Sequence, residues 1–190
     1  YPMTKKINKQ LSISVPKVIR HSCKQNIQAL KGCLHNINVG IFSAENGARS
    51  WFQANKLDNY IIWKIKKNNV DEILFINNNE LESYFSITRS SKKIKINWQY
   101  GSSIIIDLFC EYIRSLYSGA GKKGNIFEKV FIYTSDDKVQ DVKFFKSRVK
   151  EQAILLNPLN VLQMIDDKKI NIYKTLSLAE TGNAFGEIDV

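Results

Sequence analysis

Hydrophobic and polar positions alternate with two different periods in residues 1–56. A period of two predicts strands over residues 11–15 and 36–42, and a helical period predicts helices from Pro16 onward and over residues 44–54. Proline suits the first helical turn, because its missing N–H would have no partner there. The apolar face predicted for the first helix consists of Ile19, Cys23, Ile27 and Leu30. Residues 1–56 are therefore predicted to form a β-α-β-α unit.

Residues 57–190 follow a different order. Strands over 60–66, 70–77 and 80–88 are separated by short turns, which predicts an antiparallel meander. The polar, basic stretch 89–95 predicts a loop or a frayed strand end. The later elements are predicted as a helix over 102–118, a strand over 130–133, a helix capped by Ser135, a strand over 153–156 and a helix over 173–185. The order β-β-β-α-β-α-β-α predicts an α/β domain with a mixed sheet, and it resembles a ribonuclease-H-like lobe.

Composition and charge narrow the class of protein. The 190 residues are 44% hydrophobic and 24% charged, which is typical of a globular protein rather than a disordered one. The net charge of +10 is uneven, because residues 1–56 hold nine basic residues and one acidic residue. A basic segment of this kind indicates a surface for acidic protein partners or anionic lipid headgroups. The candidate residues for this surface are Lys17, Arg20, Lys24 and Lys31.

The sequence also indicates the compartment. No apolar run approaches the roughly 18 residues that a membrane helix needs, and no signal-peptide pattern opens the chain. Three cysteines and two histidines lie too far apart for a zinc site, so we expect reduced thiols and no metal. These features predict a cytoplasmic protein, with peripheral association at the inner face of the membrane as one option.

Catalytic chemistry is not indicated by any motif. The glycine-rich stretch 118–124 lacks the spacing of a phosphate loop, and it joins a helix to a strand instead of a strand to a helix. The acidic pairs at 136–137 and 166–167 have no histidine or third carboxylate at motif distance, so they are interpreted as helix-end and turn residues. We therefore predict no catalytic residue, no metal ligand and no cofactor.

Basic residues interleaved with aromatic ones leave a second function open. Such mixtures suit nucleic acid, because cations meet phosphates and rings stack on bases. The residues concerned are Tyr60, Trp63, Lys64, Lys66 and Lys67 in one group, and Arg89, Lys92, Lys93, Lys95, Trp98 and Tyr100 in another. On an alternating strand, however, Trp63 and Lys64 point to opposite faces, which is ordinary strand patterning. Nucleic-acid binding is therefore the alternative and not the leading prediction.

Several segments resemble a known family. The junction between the two lobes of the actin-like PilM and GspL proteins is similar to two segments of this chain, 12–19 and 38–49 (Asn-Val-Gly-Ile-Phe-Ser-Ala-Glu-Asn-Gly-Ala-Arg). A helix of those proteins is similar to segment 108–116. The segments 130–133 and 155–159 are similar to the last third of those proteins. The resemblance implies an actin-like fold, with residues 1–56 as a partial first lobe and residues 57–190 as the second lobe. It also implies a cytoplasmic role in a type IV pilus or type II secretion machine.

The departures from that family concern nucleotide binding. An actin-like lobe that binds nucleotide has Asp-x-Gly at its first hairpin, where this chain has Trp63 and Ile65 around Lys64. The family's adjacent glycines are replaced by Thr134 and Ser135. Because bulky side chains obstruct a phosphate that must approach the backbone, the resemblance implies a degenerate, non-catalytic scaffold that binds partner proteins.

Overall fold

A six-stranded mixed sheet forms the centre of the protein in a computed structural model, which describes residues 16–29, 40–90, 93–119, 127–135, 138–161 and 172–185. The strands are β1 (Asn59–Ile65), β2 (Val70–Asn77), β3 (Glu80–Arg89), β4 (Ile94–Gly101), β5 (Lys129–Thr134) and β6 (Ala153–Leu155). The helices are α1 (Lys17–Ala29), α2 (Gly40–Phe52), α3 (Ser103–Ser118) and α4 (Val139–Val149), followed by a C-terminal 3-10 helix (Ile172–Phe185). The strand order is β4-β3-β2-β1-β5-β6, so the protein belongs to the α/β class.

Strands β1 to β4 form an antiparallel meander. The turn between β2 and β3 is tight because Asn78 and Asn79 adopt the left-handed conformation, with φ of 48° and 63°. The meander has four strands instead of the three predicted. The stretch 89–95, predicted as a loop or a frayed strand end, contains the last residue of β3 and the first two residues of β4. Strand β4 lies at the sheet edge with most of its side chains exposed. Its sequence alternates between apolar and polar residues (Ile94, Ile96, Trp98 and Tyr100 are the apolar ones), so a period-two signal for this strand was present and the prediction did not use it.

The two parallel strands follow the meander through helices. Strand β5 pairs with β1, and β6 pairs with β5, while α3 and α4 supply the connections. The apolar sides of α3 and α4 bury Phe109, Ile113, Val142 and Phe145 against one face of the sheet, as the helical period predicts. Helix α4 begins at Val139, after Lys138, so the prediction that Ser135 caps it is wrong.

The other face of the sheet is covered by α2 and the C-terminal 3-10 helix. Residues 36–42 were predicted as a strand, and this is wrong at Gly40, Ile41 and Phe42, which form the first turn of α2; residues 36–39 lie outside the described residues. Ile41 and Phe42 are buried with Ala44 and Ala48, and this spacing follows a helical period. The short apolar run was compatible with either structure.

Helix α1 occupies its predicted place. None of its residues is fully buried; Cys23 and Ile27 of the predicted apolar face are half-buried, and Ile19 is 51% exposed. The strand predicted over 11–15 and the residue Leu30 lie outside the described residues. The lobe boundary between residues 56 and 57 stays a prediction.

Candidate functional site

The carboxyl ends of β1 and β5 mark the place where a ligand is expected in this topology. The two strands are parallel neighbours, but β1 continues into β2 on one side and β5 leads to β6 on the other. Ligands of open α/β sheets bind at such a switch point, beyond the strand ends. Ile65 pairs with Thr134 in the register, so the predicted degenerate nucleotide positions come together here.

Side chains fill this end of the sheet. Trp63 and Ile65 are both fully buried on the face covered by α3 and α4. The indole of Trp63 packs against the rings of Phe109 and Phe145, with centroid distances of 5.3 and 4.6 Å. Thr134 is also buried, and only Ser135 is exposed. Three of the four predicted nucleotide positions are therefore buried, and the fourth, Ser135, is exposed.

A buried ionic network lies next to Trp63 on the same face. Arg89 donates from Nε to Oδ2 of Asp71 at 2.6 Å and from a terminal nitrogen to Oδ2 of Asp141 at 2.9 Å. A further N–H of Arg89 donates to the hydroxyl of Tyr117 at 3.1 Å. The guanidinium also lies 4.9 Å from the ring centroid of Phe145. The network thereby connects β2, β3, α3 and α4 within the core.

Burial controls the protonation of this network. Full burial raises the pKa of Asp71 to about 7, although the charge of Arg89 and its hydrogen bond act to lower it. Burial acts to lower the pKa of Arg89, but the two carboxylates and Tyr117 outweigh it and raise that pKa. One guanidinium thus faces two carboxylates, of which that of Asp71 is completely buried. Because Asp71 is completely buried, we interpret the network as structural.

A second polar cluster lies on the opposite face, where α2 meets the C-terminal 3-10 helix. The carboxylate of Glu180 accepts from the amine of Lys64 at 2.5 Å and from the hydroxyl of Tyr133 at 3.2 Å. Burial, followed by the charge of Glu180, raises the pKa of Tyr133. A β-carbon on Gly40 would lie 2.5 Å from an oxygen of the same carboxylate, so Glu180 sits directly against the start of α2. The positive charge of Lys64 is therefore compensated within the chain by the carboxylate of Glu180.

Sequence reasoning did not single out Asp71, Arg89 or Asp141 as a cluster. A signal was present, because alternation places Asp71 in phase with the inward Ile73 of the predicted strand 70–77. A carboxylate at an inward position needs a buried partner. Its partner Arg89 lies at the end of the next strand, two residues beyond Ile87, which pairs with Asp71. The sheet register was needed to bring the two side chains together.

The predicted anion surface is exposed where the structure describes it. Lys17, Arg20 and Lys24 are exposed on α1, which carries no acidic residue; Lys31 lies outside the described residues. The first aromatic–basic group does not form a surface, because Tyr60 and Trp63 are fully buried.

In the second aromatic–basic group, Arg89 is buried, whereas Trp98, Lys93 and Lys95 are exposed; Lys92 lies outside the described residues. The structure therefore brings together only part of the predicted nucleic-acid surface, around β4.

The described residues contain neither a candidate metal site nor a membrane-spanning helix. No group of three His, Cys, Asp or Glu side chains among them could hold a metal ion. Cys110 is buried in α3, which raises the pKa of its thiol, and Cys23 is half-buried; Cys33 and both acidic pairs lie outside the described residues. None of the helices in the described ranges has the length and hydrophobicity to span a membrane.

Comparison with known proteins adds no family to these observations. No protein-family model matches the chain, and no curated protein matches it.

Proposed function

We propose that this protein is a non-catalytic scaffold of the actin-like type, whose main lobe has a ribonuclease-H-like fold. The strand order supports this, because an antiparallel meander is followed by two parallel strands reached through helices. Strand β4 is an addition at the outer edge of that order. In this proposal the protein presents surfaces to partner proteins in a cytoplasmic, membrane-associated assembly such as a pilus or secretion machine.

The observation that carries the proposal is the filled switch point. Trp63 and Thr134 occupy, as core residues, the two places where a nucleotide-binding lobe keeps backbone accessible. Lys64, the cation nearest to them on β1, is paired with Glu180. In this proposal the lobe retains the architecture of a nucleotide-binding lobe and uses it to bind other macromolecules.

Calorimetric titration with magnesium-ATP tests the non-catalytic part. We expect a dissociation constant for ATP above about 1 mM, which corresponds to a binding free energy weaker than about 4 kcal/mol. Micromolar ATP binding that is lost in Ser135→Trp would contradict the proposal. Ser118→Trp is the matched control, because it places the same bulk at another exposed serine, at the end of α3.

Site-specific photo-crosslinking in the source cells tests the scaffold part. A photoreactive side chain is placed at one exposed position on each layer of the protein, and discrete protein adducts are expected from at least one of them. Absence of protein adducts at every position would contradict a scaffold role.

Peripheral membrane association is supported by the exposed basic residues of α1. Each Lys or Arg near an anionic membrane contributes about 1 kcal/mol, so replacing Lys17, Arg20 and Lys24 by Gln should weaken vesicle binding about 100-fold. Co-sedimentation with phosphatidylserine-containing and purely phosphatidylcholine vesicles measures this. Lys143, Lys150 and Arg148 of the α4 region, replaced by Gln, provide a control of equal charge. Equal binding to both vesicle types would contradict an association of the basic residues of α1 with anionic lipid.

Nucleic-acid binding is the second candidate, and the exposed group of Trp98, Lys93 and Lys95 favours it. The test measures binding of a single-stranded uridine 12-mer at several salt concentrations. This candidate would replace the scaffold if binding weakens steeply with salt and is lost in Trp98→Ala.

A further inference from the structure

Strand β4 ends the sheet on the side away from β6. It is the last strand in the sheet order, and no strand in the described ranges pairs with its outer edge. Seven of its eight positions pair with β3, and the eighth, Asn97, lies at a shift in the register. The strand therefore offers backbone donors and acceptors on both sides of a bulge. The opposite edge strand, β6, has only three residues. The β4 edge is therefore the longer of the two available edges of the sheet.

The side chains of β4 add contact area on both faces. Ile96 is 37% exposed and Trp98 is 43% exposed, on a strand whose other residues are also exposed or half-buried. Trp98 is held in place by the ring of Tyr84, with a centroid distance of 4.6 Å and an interplanar angle of 79°. Asn97 is fixed by hydrogen bonds with Thr88 and Ser86. A strand with positioned side chains loses less entropy when it pairs with another.

Charge identifies the kind of segment that fits this edge. Residues 83–106, which include the end of β3 and all of β4, contain Arg89, Lys92, Lys93 and Lys95 and no acidic residue. Lys93 and Lys95 are exposed, whereas the charge of Arg89 is compensated in the core by Asp71 and Asp141. A second copy of this chain carries the same positive charge, so repulsion disfavours it relative to an acidic partner.

We propose that the outer edge of β4 binds an extended, acidic segment of a partner protein by strand addition. The backbone of the segment would pair with β4, its apolar side chains would lie against Ile96 and Trp98, and its carboxylates would meet Lys93 and Lys95. This inference rests on the scaffold function proposed above and assigns it a surface and a class of ligand.

The test uses the full chain and a displayed library of random ten-residue peptides. Enriched peptides are synthesised, their affinity is measured by fluorescence anisotropy, and amide hydrogen exchange is followed with and without peptide. We expect enrichment of Asp and Glu alternating with apolar residues, and slower exchange across β4. The double variant Lys93→Glu with Lys95→Glu should weaken binding at least about tenfold, since each surface charge pair contributes up to about 1 kcal/mol and reversal adds repulsion.

The matched control is the double variant Lys17→Glu with Lys24→Glu, which makes the same change of charge at exposed lysines of α1. Equal loss of affinity in both variants would overturn the inference in favour of general charge attraction. So would protection of another segment, enrichment of peptides without acidic residues, or absence of enrichment. A concentration-dependent dimer that protects β4 without peptide, or displacement of the peptide by the uridine 12-mer, would assign the edge to a second copy or to nucleic acid.

The outcomes separate this inference from the proposed function. If photo-crosslinking yields protein adducts but β4 is not protected, the scaffold stands and uses another surface. If neither experiment detects a protein ligand, both proposals fail.

Discussion

Replacing Asp71 by Asn should remove an unusual pH dependence of stability. In the folded protein burial raises the pKa of Asp71 to about 7, from its ordinary value of 3.8. Between these two pH values the folded state keeps a proton that the unfolded state has lost, so stability falls as pH rises. At about 1.4 kcal/mol per pH unit, the difference corresponds to a loss of roughly 4 kcal/mol by pH 7.

Asparagine matches the shape of the protonated carboxyl group and does not ionise, so Asp71→Asn lacks this dependence. The wild-type free energy of unfolding minus that of Asp71→Asn should therefore decrease by roughly 4 kcal/mol between pH 4 and pH 8. Urea denaturation at several pH values measures it, with tryptophan fluorescence as the signal, because Trp63 lies in the core next to this network.

Asp107→Asn on the exposed surface of α3 is the matched control, and its difference from wild type should change much less with pH. A difference between wild type and Asp71→Asn that stays constant from pH 4 to pH 8 would refute the reasoning. It would mean that Arg89 compensates the buried charge of Asp71 completely.

Three further substitutions test the packing around the two faces of the sheet. Trp63→Ala removes a fully buried indole and should destabilise the protein by about 3–5 kcal/mol in urea denaturation, and a loss below about 1 kcal/mol would contradict its core position. Gly182→Ala should cost about 1–3 kcal/mol, because a β-carbon would lie 2.1 Å from the backbone oxygen of Ser43; an unchanged melting temperature would show that the two helices do not pack this closely. Glu180→Gln should cost about 1–3 kcal/mol by leaving Lys64 without its counter-charge, and the loss should shrink in Glu180→Gln combined with Lys64→Met.

The elements with a strong local pattern could be predicted from the sequence. The predicted strands 60–66, 70–77 and 80–88 agree with β1, β2 and β3 within one residue at each end, and the helix 102–118 agrees with α3. Each has a long apolar period and short polar turns, so local preference and burial point to the same structure. The α/β class and the mixed sheet follow from the order of these elements.

The failures occurred where local pattern and tertiary role diverge. Ile41 was interpreted as part of a strand because a short apolar run fits either period, and only packing on the sheet selects the helix. Strand β4 was missed although its apolar residues alternate with polar ones, because the basic stretch 89–95 that overlaps its start was interpreted as a loop or a frayed strand end. Backbone pairing with β3 forms it, and that pairing depends on residues outside the strand.

The sequence by itself determined the α/β class of the domain and its basic charge. Only the tertiary structure decided that Trp63 is part of the core, that Arg89 lies beside Asp71, and that the exposed cations and the open edge coincide at β4. The physical reason is that sheet register and strand order are properties of the whole sheet. They bring residues that are distant in the chain to one place, and no single segment encodes that proximity.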